Sequence, residues 1–88
     1  MADMFAAFAD TPLAPASAPY MVTPHDSTAL PAVPKALYVG TGGTIVLRGM
    51  AGSTDVTFRN VANGQIIDVR ASHVRATGTT ATDIVALA

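Results

Sequence analysis

The chain contains no cysteine, no tryptophan and no glutamate, and only one lysine among its 88 residues. Each absence removes a class of structure or chemistry. Without cysteine there is neither a disulfide framework nor a thiolate metal site, the usual supports of a domain this small. The six acidic residues are scattered aspartates that form no loop of alternating oxygen ligands, and the two imidazoles, His25 and His73, belong to no short-spaced ligand pair. No metal or other cofactor is expected. Charged residues make up 12% of the chain and the formal net charge is −1, so the basic excess that drives phosphate binding is missing and no nucleic acid is expected as a partner. A membrane is not expected either. Half the residues are hydrophobic, yet no apolar run approaches the roughly 18 residues of a spanning segment. The opening Met1-Ala2-Asp3 lacks the positive charge of a secretory signal, and Asp3, Asp10 and Pro12 break up the apolar residues around them.

What remains is a short chain with much to bury. Its length allows one domain, and a core of that size is marginal on its own. With disulfides and thiolate metals excluded, assembly with other subunits is the expected source of further stability. The low charge agrees, because it leaves little repulsion between copies. The lack of cysteine fits synthesis in a reducing bacterial cytoplasm.

Proline and glycine divide the chain. All six prolines (Pro12, Pro15, Pro19, Pro24, Pro31 and Pro34) precede Lys35, and all seven glycines lie at or after Gly40. Proline fixes φ and removes a donor, so residues 1–18 read as an extended arm and residues 19–35 as a proline-rich edge strand and loop. Residues 36–88 read as the compact core of a single β domain spanning 19–88. Twenty-four β-branched residues (nine Val, four Ile, eleven Thr) suit pleated, half-buried surface. The pattern predicts an all-β fold, a small antiparallel sandwich or barrel of six or seven short strands. Ala36 to Gly40 and Thr44 to Arg48 flank Thr41-Gly42-Gly43, short enough to close a hairpin. Thr54 to Arg59 alternates, which puts Val56 and Phe58 on the core side. Asn63-Gly64 is a turn signal that predicts a second hairpin, into Gln65 to Arg70. His73 to Thr77 and Asp83 to Leu87 complete six strands, and Tyr20 to Thr23, bracketed by Pro19 and Pro24, adds a seventh at an edge.

Met4, Phe5 and Phe8 are spaced to share one side of a short helical turn. Burying three such side chains returns roughly 1.5–3 kcal/mol each. They read as an anchor that docks on another protein or a neighbouring copy, or as residues that fold back on their own domain. Arg48, Arg59, Arg70 and Arg75 project from strand faces away from the core. They are either solvated or, since the planar guanidinium is enriched at interfaces, candidates for subunit contacts.

Catalysis finds no constellation. His25-Asp26-Ser27 has the residue types of a hydrolytic triad, but side chains adjacent in sequence diverge, and an Asx or Ser turn accounts for them. Gly40-Thr41-Gly42-Gly43 leads into the strand pattern Thr44-Ile45-Val46-Leu47, whereas a phosphate loop leads into a helix. The hydroxyl-rich segment Thr77-Gly78-Thr79-Thr80-Ala81-Thr82 lacks the aromatic platform of a glycan site and reads as structural. The chain is not expected to be an enzyme.

Three segments are similar to those of a known family: Ala36-Leu37-Tyr38-Val39-Gly40-Thr41-Gly42-Gly43, Val56-Thr57-Phe58-Arg59-Asn60-Val61, and Ala76-Thr77-Gly78-Thr79-Thr80-Ala81-Thr82-Asp83-Ile84-Val85-Ala86-Leu87. With looser similarity at Met1-Ala2-Asp3, Phe5-Ala6, Thr23-Pro24 and Leu30-Pro31, the chain resembles the head-spike base proteins of gene transfer agents and related tailed phages of alphaproteobacteria. It departs from them at Ala62-Asn63-Gly64, where the family often has Pro-Ala-Gly, and at Ala88, where an aromatic end is usual. The resemblance implies a virion structural protein at the capsid five-fold vertices, in a pentameric ring of copies of itself. Its other implied partners are the major capsid protein and a spike fibre protein. The competing expectation is a small β-barrel binding module for carbohydrate or for another phage structural protein.

Overall fold

Seven strands form in the computed structural model, which describes residues 10–88; Met4, Phe5 and Phe8 lie outside the described residues. The strands are β1 (Tyr20–Met21), β2 (Ala36–Thr41), β3 (Gly43–Gly49), β4 (Val56–Val61), β5 (Gln65–Ile67), β6 (Ala71–Val74) and β7 (Thr82–Leu87). They build a four-stranded sheet in the order β1-β7-β2-β5 and a three-stranded sheet in the order β4-β3-β6, with every pairing antiparallel. The expected all-β class and strand number hold, and β1 sits at an edge as its flanking prolines require.

Alternation along the strands makes the core. Leu37 and Val39 on β2, Ile84 and Ala86 on β7 and Ile67 on β5 face Ile45 and Leu47 on β3 and Val74 on β6, all in one buried cluster. Tyr20, Leu30, Phe58 and Val69 pack on its margin. The Tyr20 hydroxyl donates to the Ala32 carbonyl, which ties the proline-rich loop back to β1.

The connections differ from a chain of hairpins. Thr41-Gly42-Gly43 does not fold β2 onto β3; the two strands lie in different sheets, and the chain crosses between layers at Gly42. A Cβ there would stand 1.9 Å from the Val61 carbonyl oxygen, so this close crossing needs glycine. Asn63-Gly64 likewise carries the chain from β4 in one sheet to β5 in the other, with Gly64 at φ 73°. The Asn63 side chain accepts the Gly42 N–H at 2.7 Å, which locks the two crossings together. Four strands are also bounded differently: β1 ends at Met21 instead of Thr23, and β4 runs Val56–Val61 instead of Thr54 to Arg59. The pattern read as Gln65 to Arg70 ends at Ile67, and that read as His73 to Thr77 is Ala71–Val74, with Ala76 exposed.

The threonine-rich segment substitutes side chains for a missing strand partner. Beyond β6 the chain continues beside β3, where Thr79 Oγ1 accepts the Val46 N–H and Thr80 Oγ1 accepts the Thr44 N–H, each at 3.0 Å. These hydroxyls satisfy donors that a longer β6 would otherwise have taken.

Candidate assembly surfaces

The triad-like residues are separated by their hydrogen bonds. His25 Nδ1 accepts the N–H groups of Ser27 at 3.1 Å and Thr28 at 3.0 Å, so histidine, and not Asp26, closes the local turn. Asp26 instead reaches across the fold, its carboxylate accepting the Thr77 N–H at 2.8 Å and the Thr77 hydroxyl at 2.7 Å. The two Thr77 bonds, backbone first, outweigh desolvation and hold the Asp26 carboxyl below its ordinary value. A depressed folded-state value means that this clasp stabilises the protein above the unfolded pKa and is lost as pH falls through the folded one. Thermal stability should therefore drop below about pH 4, and Asp26→Ala should flatten that acid limb of a Tm-against-pH curve. An unchanged limb would remove Asp26 from the acid response.

Of the four arginines singled out, two turn back into their own chain. Arg75 binds the Asp55 carboxylate through Nε at 3.1 and 3.2 Å and the Asp26 carbonyl through Nη1 at 2.7 Å. Arg48 Nε donates to the Gly52 carbonyl at 3.0 Å, bracing the β3–β4 turn. Arg59 and Arg70 are exposed and form no ion pair among the described residues. No group of three or more His, Cys, Asp or Glu gathers among the described residues.

Strand β4 is an edge of the three-stranded sheet and bonds only to β3 among the described strands. Val56 lies opposite Leu47 and Phe58 opposite Ile45, which puts both on the core-facing side. Phe58 is half-buried, but Val56 is 50% exposed and does not belong to the core expected from its alternation. Parity chose the correct face; the buried cluster does not extend far enough to enclose this end of β4. A bulge at Arg59 and Asn60, where Asn60 adopts φ 57°, twists the far end of the strand. The remaining edge carries no lysine or proline to discourage pairing.

A second apolar surface covers the outer side of the four-stranded sheet. Met21 pairs with Val85, Val85 with Tyr38 and Tyr38 with Ile66, so the four side chains form one row across all four strands. Met21 is 63% exposed, Ile66 58% and Tyr38 39%. Ala36 and Leu87 pair beside them and extend the apolar surface. Sequence reasoning passed over this row, although a signal was present. Leu37-Tyr38-Val39, Ile66-Ile67 and Ile84-Val85-Ala86-Leu87 are continuously apolar, which is the mark of strands covered on both faces.

The described part of the arm is fastened at the same end of this sheet. The Lys35 ammonium binds both the Asp10 carboxylate and the Pro15 carbonyl, and the Ser17 and Ala18 N–H groups both donate to the Ala88 carbonyl. Between those fastenings the Ala14 N–H closes a turn onto the Thr11 carbonyl at 2.9 Å. The turn presents Leu13 at 97% exposure.

No protein-family model matches the chain, and no curated protein matches it. Among solved structures, a chain of a structure described as the capsid of a native GTA particle, computed with C5 symmetry, is 47% identical to it. The alignment covers 99% of this chain and 100% of that one, with a TM-score of 0.89.

Proposed function

The chain belongs to the family of capsid components of gene transfer agent particles, and on that premise we propose that it is the base subunit of a head spike, set as a pentameric ring at the five-fold vertices. At the coarser level it is a virion structural protein, located in the particle. The observation that carries the finer reading is the full-length likeness to a capsid chain solved in a particle computed with C5 symmetry. The surfaces support it. A β4 edge guarded at its bulge of Arg59 and Asn60 but not at the end with Val56 and Phe58, and an apolar sheet face opposite the core, are features that a closed ring can cover without templating open-ended association. In this reading the ring meets the major capsid protein on one side and carries the spike fibre on the other. The arm of residues 1–18 docks through Met4, Phe5 and Phe8 on capsid or a neighbouring subunit, and Arg59 and Arg70 are the arginines left to contact other subunits. No catalytic activity is proposed.

Two measurements test the reading together. Native mass spectrometry of the purified chain should give one species at five times the chain mass. Particles from a producer lacking the chain should lose density at their vertices in image reconstructions while keeping a closed shell. Vertex density that persists without the chain would overturn the spike-base assignment, and a monomer that binds glycan would favour the small binding module instead.

A further inference from the structure

The Met21–Val85–Tyr38–Ile66 row is too continuous to be the scattered exposure of single apolar side chains. Four strands about 4.8 Å apart place a row roughly 14 Å long across the outer face. Exposed apolar surface of this kind marks a contact site. Its occupant can be read from where the arm is fastened. Lys35, which holds Asp10 and the Pro15 carbonyl, directly precedes Ala36 of β2, so the chain enters the described structure at the margin of this face. Residues 1–9 precede that point and carry Met4, Phe5 and Phe8; extended, they reach up to about 30 Å, ample to cross the row.

We infer that the N-terminal arm of one copy, residues 1–13, packs across the outer face of the four-stranded sheet of a neighbouring copy. The observation that favours a neighbour over the arm's own sheet is Leu13. It lies in a turn closed by the Thr11 carbonyl and clamped on both sides by Lys35, and it is 97% exposed. The clamped turn therefore points this apolar side chain away from its own body, while the row on that body stays uncovered by residues 10–18. Each copy thus offers one arm and one acceptor face, two different surfaces. A contact between unlike surfaces repeats around a rotation axis and closes a ring when the rotation fits. The inference rests on the ring reading and adds to it the surfaces that join the copies.

The test uses the full chain. Position 38 is changed as Tyr38→p-benzoylphenylalanine, and nitrogen-15-labelled and unlabelled chains are mixed, assembled and irradiated. Cross-linked peptides that join position 38 to residues 1–13 and carry both isotope labels are the expected result. Ile66→Asp and Leu13→Asp should each weaken assembly by about tenfold or more, with each subunit's circular dichroism melt unchanged when dilute. Cross-links confined to single-isotope peptides would place the arm on its own sheet and overturn the inference. So would a pentamer of normal stability in both aspartate variants with no arm peptide captured, an outcome that leaves the ring reading standing. A wild-type chain that stays monomeric would overturn both.

Discussion

Leu37→Ala is expected to lower the unfolding free energy by about 2–5 kcal/mol, and so to reduce Tm by roughly 10 °C or more. Leu37 has no exposed surface. It lies on β2, which is bonded on both sides, opposite Ala86 of β7 and Ile67 of β5. Two ladders hold the backbone around it, so the space left by the lost side chain cannot collapse and its lining loses contacts outright. A domain of this size has about 5–15 kcal/mol in total, so the change removes a large fraction of what keeps it folded. Urea unfolding of dilute subunits checks this against Leu13→Ala, which removes a side chain that stands out from its own body. Equal midpoints for the two variants would contradict the placement of Leu37 at the centre of the core.

Gly42→Ala should be nearly as damaging, by about 3 kcal/mol or more, for a different reason. The added carbon would meet the Val61 carbonyl oxygen at 1.9 Å, the Ala62 carbonyl carbon at 2.8 Å and the Val61 carbonyl carbon at 2.9 Å. All three are backbone atoms, which cannot swing aside as the end of a side chain can. Relief would require parting the β2–β3 crossing from the end of β4, and with it the Gly42 N–H bond to Asn63. Gly49 provides the contrast. Its added carbon would meet nothing within 4 Å, so Gly49→Ala should be neutral or gain about 0.4–1 kcal/mol from a stiffer unfolded chain. Urea midpoints of the two variants should move in opposite directions or by very unequal amounts; similar losses at both positions would refute the steric account.

How much of the fold was legible in the sequence depends on how far each signal acts. Strand positions came from side-chain alternation and from the bias toward valine, isoleucine and threonine, both local properties, and the edge position of β1 came from Pro19 and Pro24. Connectivity did not follow from local signals. Gly42 and Asn63-Gly64 are turn residues whether the chain reverses within a sheet or crosses to the other one, and the atoms that decide are those of Val61 and Ala62, distant in sequence from Gly42. Val56 shows the same limit: alternation assigns a face, while enclosure depends on how far the opposing layer extends. His25 took the turn-closing role assigned to Asp26 because Thr77, about fifty positions away, offered the carboxylate two better donors. Met4, Phe5 and Phe8 stood out in the sequence as large apolar residues in an alanine- and proline-rich arm. The Met21–Val85–Tyr38–Ile66 row did not, because it becomes one surface only when β1, β7, β2 and β5 lie in that order.

The same strand order governs how the polypeptide reaches its native state. Strand β7, the last in sequence, lies between β1 and β2, the first two. A nascent chain that has not yet extended past Thr82 has nothing to hold β1 and β2 in one layer, and the β2–β5 pair alone is too small to persist in water. The four-stranded sheet is thus completed only once β7 is available, and its formation carries the loop-closure entropy of distant pairings. Translation fragments that stop short of β7 cannot complete the outer face that carries Met21, Val85, Tyr38 and Ile66.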